Sequence, residues 1–186
     1  MNHSYTWVSD AVSADAVSTR AFLQQAVDHY PRLAAFSFML KLPYRETLAD
    51  YRSLLQRFHT EVWQRTGEYS RERQQPRRAS PPTVLRWVWE STSSPECKTV
   101  LLMNLNTLGT VQNPLPGGSV LQQMEVIVSD AWRTVSEANT RVTSMSSFIV
   151  SRSDRSAFTQ TFDQLRTRVD KMTCPVVTAR TGVICP

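Results

Sequence analysis

The stretch "PECKTVLLMNLN", residues 95–106, sets a thiol, an ammonium and a hydroxyl side by side in Cys97, Lys98 and Thr99, at the entrance to an apolar run. A thiol beside a lysine can become a nucleophilic thiolate, because nearby positive charge lowers a cysteine pKa. Thiol catalysis also needs a base, and the chain has only His3, His29 and His59. These read as unrelated surface or half-buried histidines. No HxH, HExxH or Cys–His zinc spacing occurs, and GxSxG, CxxC and Gly-rich phosphate loops are missing as well. "PLPGGS" could offer backbone N–H groups to a phosphate at a helix start, although two glycines there more simply make a turn. The carboxylates Glu96, Glu125, Asp130, Asp154, Asp163 and Asp170 read as caps and solvated faces, with no paired acid and base.

Positive charge is the stronger signal. The net charge is +5, from 21 Lys and Arg against 16 Asp and Glu. Arg71, Arg73, Arg77 and Arg78 crowd "SRERQQPRRASPP", and Arg166, Arg168, Lys171 and Arg180 form a second set. Guanidinium forks suit phosphate, so these clusters are the electrostatic footprint of nucleic-acid contact. They would equally serve as a solvated helix end and a basic loop. Trp87 and Trp89 flank Val88 on one strand face, where the simplest role is core and the functional one is base stacking.

The elements that must hold these residues follow from periodicity. "SADAVSTRAFLQQAVDHY", residues 13–30, is amphipathic at helical spacing through Ala16, Val17, Ala21, Leu23 and Val27. "RLAAFSFMLKLP" alternates, with Phe36, Phe38, Leu40 and Leu42 facing one way and Ser37 and Lys41 the other, which predicts a half-buried strand. A long helix carries Leu48, Tyr51, Leu55, Phe58 and Val62. "TVLRWVWES" and "KTVLLMNLN" are strands, the second apolar almost throughout and therefore central. Residues 106–118 are a loop, and Ser119 is a candidate N-cap for the helix bearing Leu121, Met124, Val128, Ala131, Trp132 and Val135. "TSMSSFIVS" is a further strand. Asp154 is placed to cap a last helix with Phe158, Phe162, Leu165, Val169 and Met172 inside, and Pro175 to end it. The tail "VVTARTGVICP" has the composition of an extra edge strand.

Without the first and last helices the order is β-α-β-β-α-β, the split βαβ pattern of ferredoxin-like folds. Length fits a single domain, with residues 1–12 flexible and 13–186 forming the fold. No apolar run reaches a membrane span, and the N-terminus lacks the basic and apolar regions of a signal peptide. Three cysteines, Cys97, Cys174 and Cys185, without tight spacing read as reduced thiols in a cytoplasm.

The ordered segments "LRWVWE", "CKTVLLMNLNTLG", "SDAWRTV" and "FIVSRSDRSAFTQTFDQLRTRV", with "SFMLKLP" as first strand, resemble the inovirus-type replication-protein family. These are gene-II-like phage initiators and their relatives in prophages and islands. The likeness covers residues 32–182. It implies HUH-endonuclease chemistry, in which two histidines flanking a hydrophobic residue hold a divalent metal. A tyrosine on a later helix then attacks a DNA phosphate. Carried over, the His–x–His falls on Cys97–Lys98–Thr99 before Val100, the acidic or histidine positions of the first strand on Met39 and Lys41, and the tyrosine at or near Lys171. No tyrosine follows Tyr69. The resemblance therefore implies a degenerate site, with Lys41 and Lys98 favouring an anion where relatives hold a cation.

The expectation is an α+β protein: a ferredoxin-like, HUH-type antiparallel sheet of about four or five strands with helices packed on it and an extra N-terminal helix. Its expected function is catalytically inactive, initiator-like binding of single-stranded or hairpin DNA. Arg71, Arg73, Arg77, Arg78, Lys41, Lys98, Arg166, Arg168 and Lys171 would engage phosphates, with Trp87 or Trp89 stacking on bases. No cofactor, metal or membrane enters this reading. The alternatives are an interaction module of a mobile element that inhibits a host protein or defence nucleoprotein, and a residual nicking enzyme.

Overall fold

The computed structural model describes residues 12–13, 16–74, 84–92, 94–108, 120–137 and 142–181. In chain order these form β1 (Val12–Ser13), α1 (Ala16–His29), β2 (Arg32–Lys41), α2 (Leu48–Gln74), β3 (Val84–Glu90) and β4 (Glu96–Asn104). A 3-10 turn (Leu105–Leu108), α3 (Val120–Ser136), β5 (Val142–Ser151), α4 (Arg155–Asp170) and β6 (Pro175–Thr181) complete them. The strands make one antiparallel sheet in the order β1-β6-β3-β4-β2-β5. Within it β4 lies between β2 and β3, the split arrangement expected of a β-α-β-β-α-β unit. The class is α+β, with helices packed on the sheet.

Helices cover both faces. One core joins Phe36, Phe38, Leu40, Trp87, Trp89 and Leu101 to Phe58 of α2 and Trp132 of α3. The other joins Leu33, Ala35, Val88, Val100 and Leu102 to Leu23 of α1 and Leu165 of α4. Period-2 alternation assigns the sheet residues: β2 sends Ala34, Phe36, Phe38 and Leu40 to the α2/α3 side, and Leu33 and Ala35 to the α1/α4 side. β2 is thus buried on both faces over its first half, where alternation predicts a half-buried strand. Only its second half fits that expectation, with Ser37 and Met39 partly exposed and Lys41 exposed.

Local chemistry explains the helix starts. Thr47 and Asp50 form a capping box, Asp50 N donating to Thr47 Oγ1 at 3.1 Å and Thr47 N to Asp50 Oδ2 at 3.2 Å. At α4 the Asp154 carboxylate accepts from Ala157 N at 3.1 Å, the expected cap, and this bond leads the contacts that hold its pKa below the usual carboxylate range. The inner face of α4 is Phe162, Leu165 and Val169, as the periodicity predicts.

Several expectations need correction. Val12 and Ser13 pair with Val177 and Val176, so the fold begins before the predicted helix and inside the stretch read as flexible. The buried stripe of α1 is Thr19, Leu23, Ala26 and Val27, while Val17 is exposed: the helix starts later and turns its apolar stripe by part of a turn. Pro175 does not end α4, which closes at Asp170. It opens β6, whose first residue pairs with Glu90. β6 lies between β3 and β1 rather than at the edge. Ser119 and the loop from Gly109 lie outside the described residues.

Candidate functional site

Neighbouring residues on β4 have opposite fates. Cys97 and Thr99 are 0 % exposed in the α2/α3 core, and Lys98 points to the other face. The Cys97 thiol donates to the Glu90 carbonyl at 3.3 Å and lies 3.7 Å from Thr99 Oγ1. Burial pushes its pKa up to about 12, so it stays a neutral thiol and is no nucleophile. Cys97 and Cys174 are both free thiols.

Lys98 emerges where α4 stops covering the sheet. Its Nζ donates to the Lys171 carbonyl at 3.1 Å and lies 3.6 Å from Glu90 Oε1, with the side chain 45 % exposed. Lys41 is opposite Glu96 in the β2–β4 register, on the same face as Lys98 and one diagonal step away, ~7–8 Å. Lys171 caps the C-terminus of α4 and is exposed. Lys41, Lys98 and Lys171 are the only lysines in the chain, and the fold gathers all three at one end of one sheet face. Around them lie Ser37, Met39, Thr143 and Ser146, none fully buried. β5 bulges beside this end: Ser37 pairs with Ser146 but Met39 with Thr143, and Ser144 takes φ 54°.

Glu90 holds this end together. Its buried carboxylate accepts from Lys98 N at 3.1 Å and from Thr173 N at 3.0 Å, tying the start of β4 to the α4–β6 connection. The last regular pair of β3 with β4 is Trp89 with Thr99, so the side chain of the next residue supplies an acceptor where the ladder ends. Sequence reading passes over Glu90, because nothing in "WVWES" distinguishes an end-of-strand acid from a solvated one. Arg52 reaches the same end from α2, its Nε and Nη2 donating to Ser91 Oγ at 3.2 and 3.1 Å.

The other predicted site residues divide. Trp87 and Trp89 are buried at 0 % and 2 %, which corrects the base-stacking role: a base could reach them only by opening the core. Trp87 stacks on His59 at 4.1 Å and 11°, and Trp89 Nε1 donates to Thr178 Oγ1. His59 is itself core rather than surface or half-buried. Arg71 is exposed near the far end of α2, roughly 35 Å from Leu48 by helix rise, so it does not share a site with Lys98. Arg77 and Arg78 lie outside the described residues, as do the side chains of Arg73 and Arg180. Arg166 is 3.5 Å from Asp163, and exposed Arg168 stands in the last turn of α4, next to Lys171. Lys41 and Lys98 thus share one face, the backbone of Lys171 reaches Lys98 while its side chain is exposed, and Arg71 and the tryptophans lie elsewhere.

The divalent metal that the initiator resemblance implies does not fit these residues. The two positions matched to its histidines are sealed in the core, and the outward residues are Met39, Lys41 and Lys98, none of them a fit ligand for a divalent ion. Among the described residues no three of His, Cys, Asp or Glu converge as a metal site. No described helix is long and apolar enough to cross a membrane.

No curated protein and no solved structure matches the chain. A family model, described as uncharacterised conserved protein UCP030791, matches residues 6–148, more than half of the sequence, and the chain belongs to that family.

Proposed function

We propose that this protein is a catalytically inactive, replication-initiator-like protein that binds nucleic acid at the lysine-bearing end of its sheet. The observation that carries the reading is the gathering of Lys41, Lys98 and Lys171 at the end of the face that α4 leaves open. Flexible ammonium groups on a shallow surface suit a phosphate backbone, which asks for charge more than for shape. Two carboxylates temper the site: Glu96 opposite Lys41 and Glu90 beside Lys98. Binding a phosphate means exchanging these internal pairs for external ones, so affinity is modest and salt-dependent.

The test is fluorescence anisotropy with single-stranded and hairpin DNA across a salt series. Wild type should bind at low salt, the combined substitution Lys41→Ala/Lys98→Ala/Lys171→Ala should flatten the salt slope, and Glu96→Gln should tighten binding. Absence of binding at low salt sinks the proposal. Metal-dependent nicking, or a covalent protein–DNA adduct, would overturn its inactive part.

A second reading, protein interaction, draws on β5. It is the outer strand of the sheet, ten residues long and without a charged side chain, and Ile149 is exposed on it. Such an edge accepts an added strand. A partner that survives nuclease treatment and is lost on Ile149→Lys would favour this reading over the first.

A further inference from the structure

We propose that Tyr44 is a base-stacking residue, and that the nucleic acid bound at the lysine end is therefore single-stranded. This rests on the nucleic-acid reading above and gives it a substrate class. Tyr44 is 82 % exposed, the most exposed large hydrophobic side chain among the described residues. It belongs to neither core.

Its backbone is nevertheless held. Leu42 N donates to the Pro95 carbonyl at 2.8 Å, fastening the chain before Tyr44 to the β3–β4 connection. Arg45 N donates to the Tyr51 hydroxyl at 3.0 Å, fastening the chain after it to the first turn of α2. The Arg45 guanidinium donates to the carbonyl of Tyr44 itself at 3.2 Å. The result is an aromatic ring displayed on a fixed segment, so little backbone ordering is needed when a ligand arrives.

The surroundings select that ligand. Lys41 lies three residues back, within about 10 Å along the chain. Arg45 is adjacent, and Arg52 is held at Ser91 on the neighbouring connection. Tyr44 thus shares its segment with Lys41 and Arg45 as well as with the acids Glu46 and Asp50. An exposed ring beside cations suits sequence-tolerant single-strand binding: the cations follow the backbone while the ring takes the face of a base. A duplex hides those faces, so the ring discriminates between the two forms while the lysines do not.

The experiment compares a fluorescein-labelled oligothymidine with an abasic strand of the same length and backbone charge. Wild type should bind the base-bearing strand at least about fivefold more tightly. Tyr44→Ala should bind both strands with the wild-type affinity for the abasic one, and Tyr44→Trp should restore the preference. Because the side chain buries so little, thermal melting of both variants should match wild type. Equal wild-type affinity for the two strands overturns the stacking role and leaves the phosphate reading standing. Absence of binding to either strand at low salt overturns both.

Discussion

The two faces of the sheet are built from the same strands and have opposite characters. The α2/α3 face is closed along its length, taking in Cys97, Thr99, Trp87 and Trp89 together with His59. The α1/α4 face is closed only part of the way, and past Val100 on β4 and Ala35 on β2 it gives way to Lys98, Ser37, Met39 and Lys41. The difference teaches that chemically suggestive neighbours in a strand are never one site, because successive side chains leave on opposite sides. In "CKT" the thiol and hydroxyl went into the core and only the ammonium reached solvent.

Trp87 and Tyr44 give the largest contrast, one aromatic from each environment. Trp87→Ala should cost about 3–5 kcal/mol in urea unfolding, since it removes a fully buried indole that packs on His59, Phe58 and Phe38. Tyr44→Ala should leave the urea midpoint unchanged. A Trp87→Ala protein of near wild-type stability would mean that the closed face is far looser than its packing indicates.

The next contrast is between adjacent positions on β4. Restoring one implied metal-ligand position with Cys97→His should destabilise by about 1–3 kcal/mol, because a larger, polar ring is forced into a filled core. Lys98→His, on the open face, gives up the ion pair with Glu90 and the bond to the Lys171 carbonyl but forces nothing into a filled core, so it should cost about 1 kcal/mol, less than Cys97→His. The measurement is chemical denaturation of both variants with and without Mn²⁺. Stabilisation of Cys97→His by the metal would show that this position opens to solvent, and would break the comparison.

How far the sequence reveals this arrangement depends on the kind of signal. The order of elements, the α+β class, the Asp154 cap and the central place of β4 follow from periodicity, turn chemistry and an unbroken apolar run. The site is legible only in part. Lys41 and Lys98 come within a diagonal step of each other through the β2–β4 register, which no pattern in the sequence specifies, and Lys171 joins them only through the path of α4. The arginines of "SRERQQPRR" look like part of the same surface because charge clustering in sequence says nothing of distance along a long helix. Tyr44 is readable in hindsight: in "LPYRET" it falls outside every apolar stripe and beside a cation, the mark of an aromatic with no core to join. The role of Glu90 is not readable at all, since it depends on where the β3–β4 ladder stops and on the return of α4.

The thiol on the closed face should also make stability pH-dependent. In the folded protein Cys97 keeps its proton to about 12, whereas the unfolded thiol ionises near 9.0. Its folded pKa is raised, so its contribution is complete below the unfolded value and is lost as pH climbs toward the folded one. Between about pH 8 and pH 10 wild type should lose ~1.4 kcal/mol more than Cys97→Ala. Equal losses in urea unfolding would show that the thiol ionises in place, and so that the face is open to water. Peptide mapping after alkylation offers a second view, with Cys174 labelled in the native protein and Cys97 only after unfolding.

The smallest effect lies on β5, where the open end of the α1/α4 face meets the edge of the sheet. Ser144 holds φ 54° in the bulge between the pairs Ser37–Ser146 and Met39–Thr143. A left-handed backbone strains serine and not glycine, while glycine gives the unfolded chain more freedom, so the two terms partly offset. Ser144→Gly should therefore stabilise by up to about 1 kcal/mol. Its nucleic-acid affinity should stay unchanged, because the bulge keeps its path and the lysines keep theirs. A clear loss of stability would indicate that Ser144 is held by its side chain rather than tolerated despite it. A change in affinity with stability intact would indicate that the edge strand takes part in the open site, and would extend the difference between the two faces from β4 across to β5.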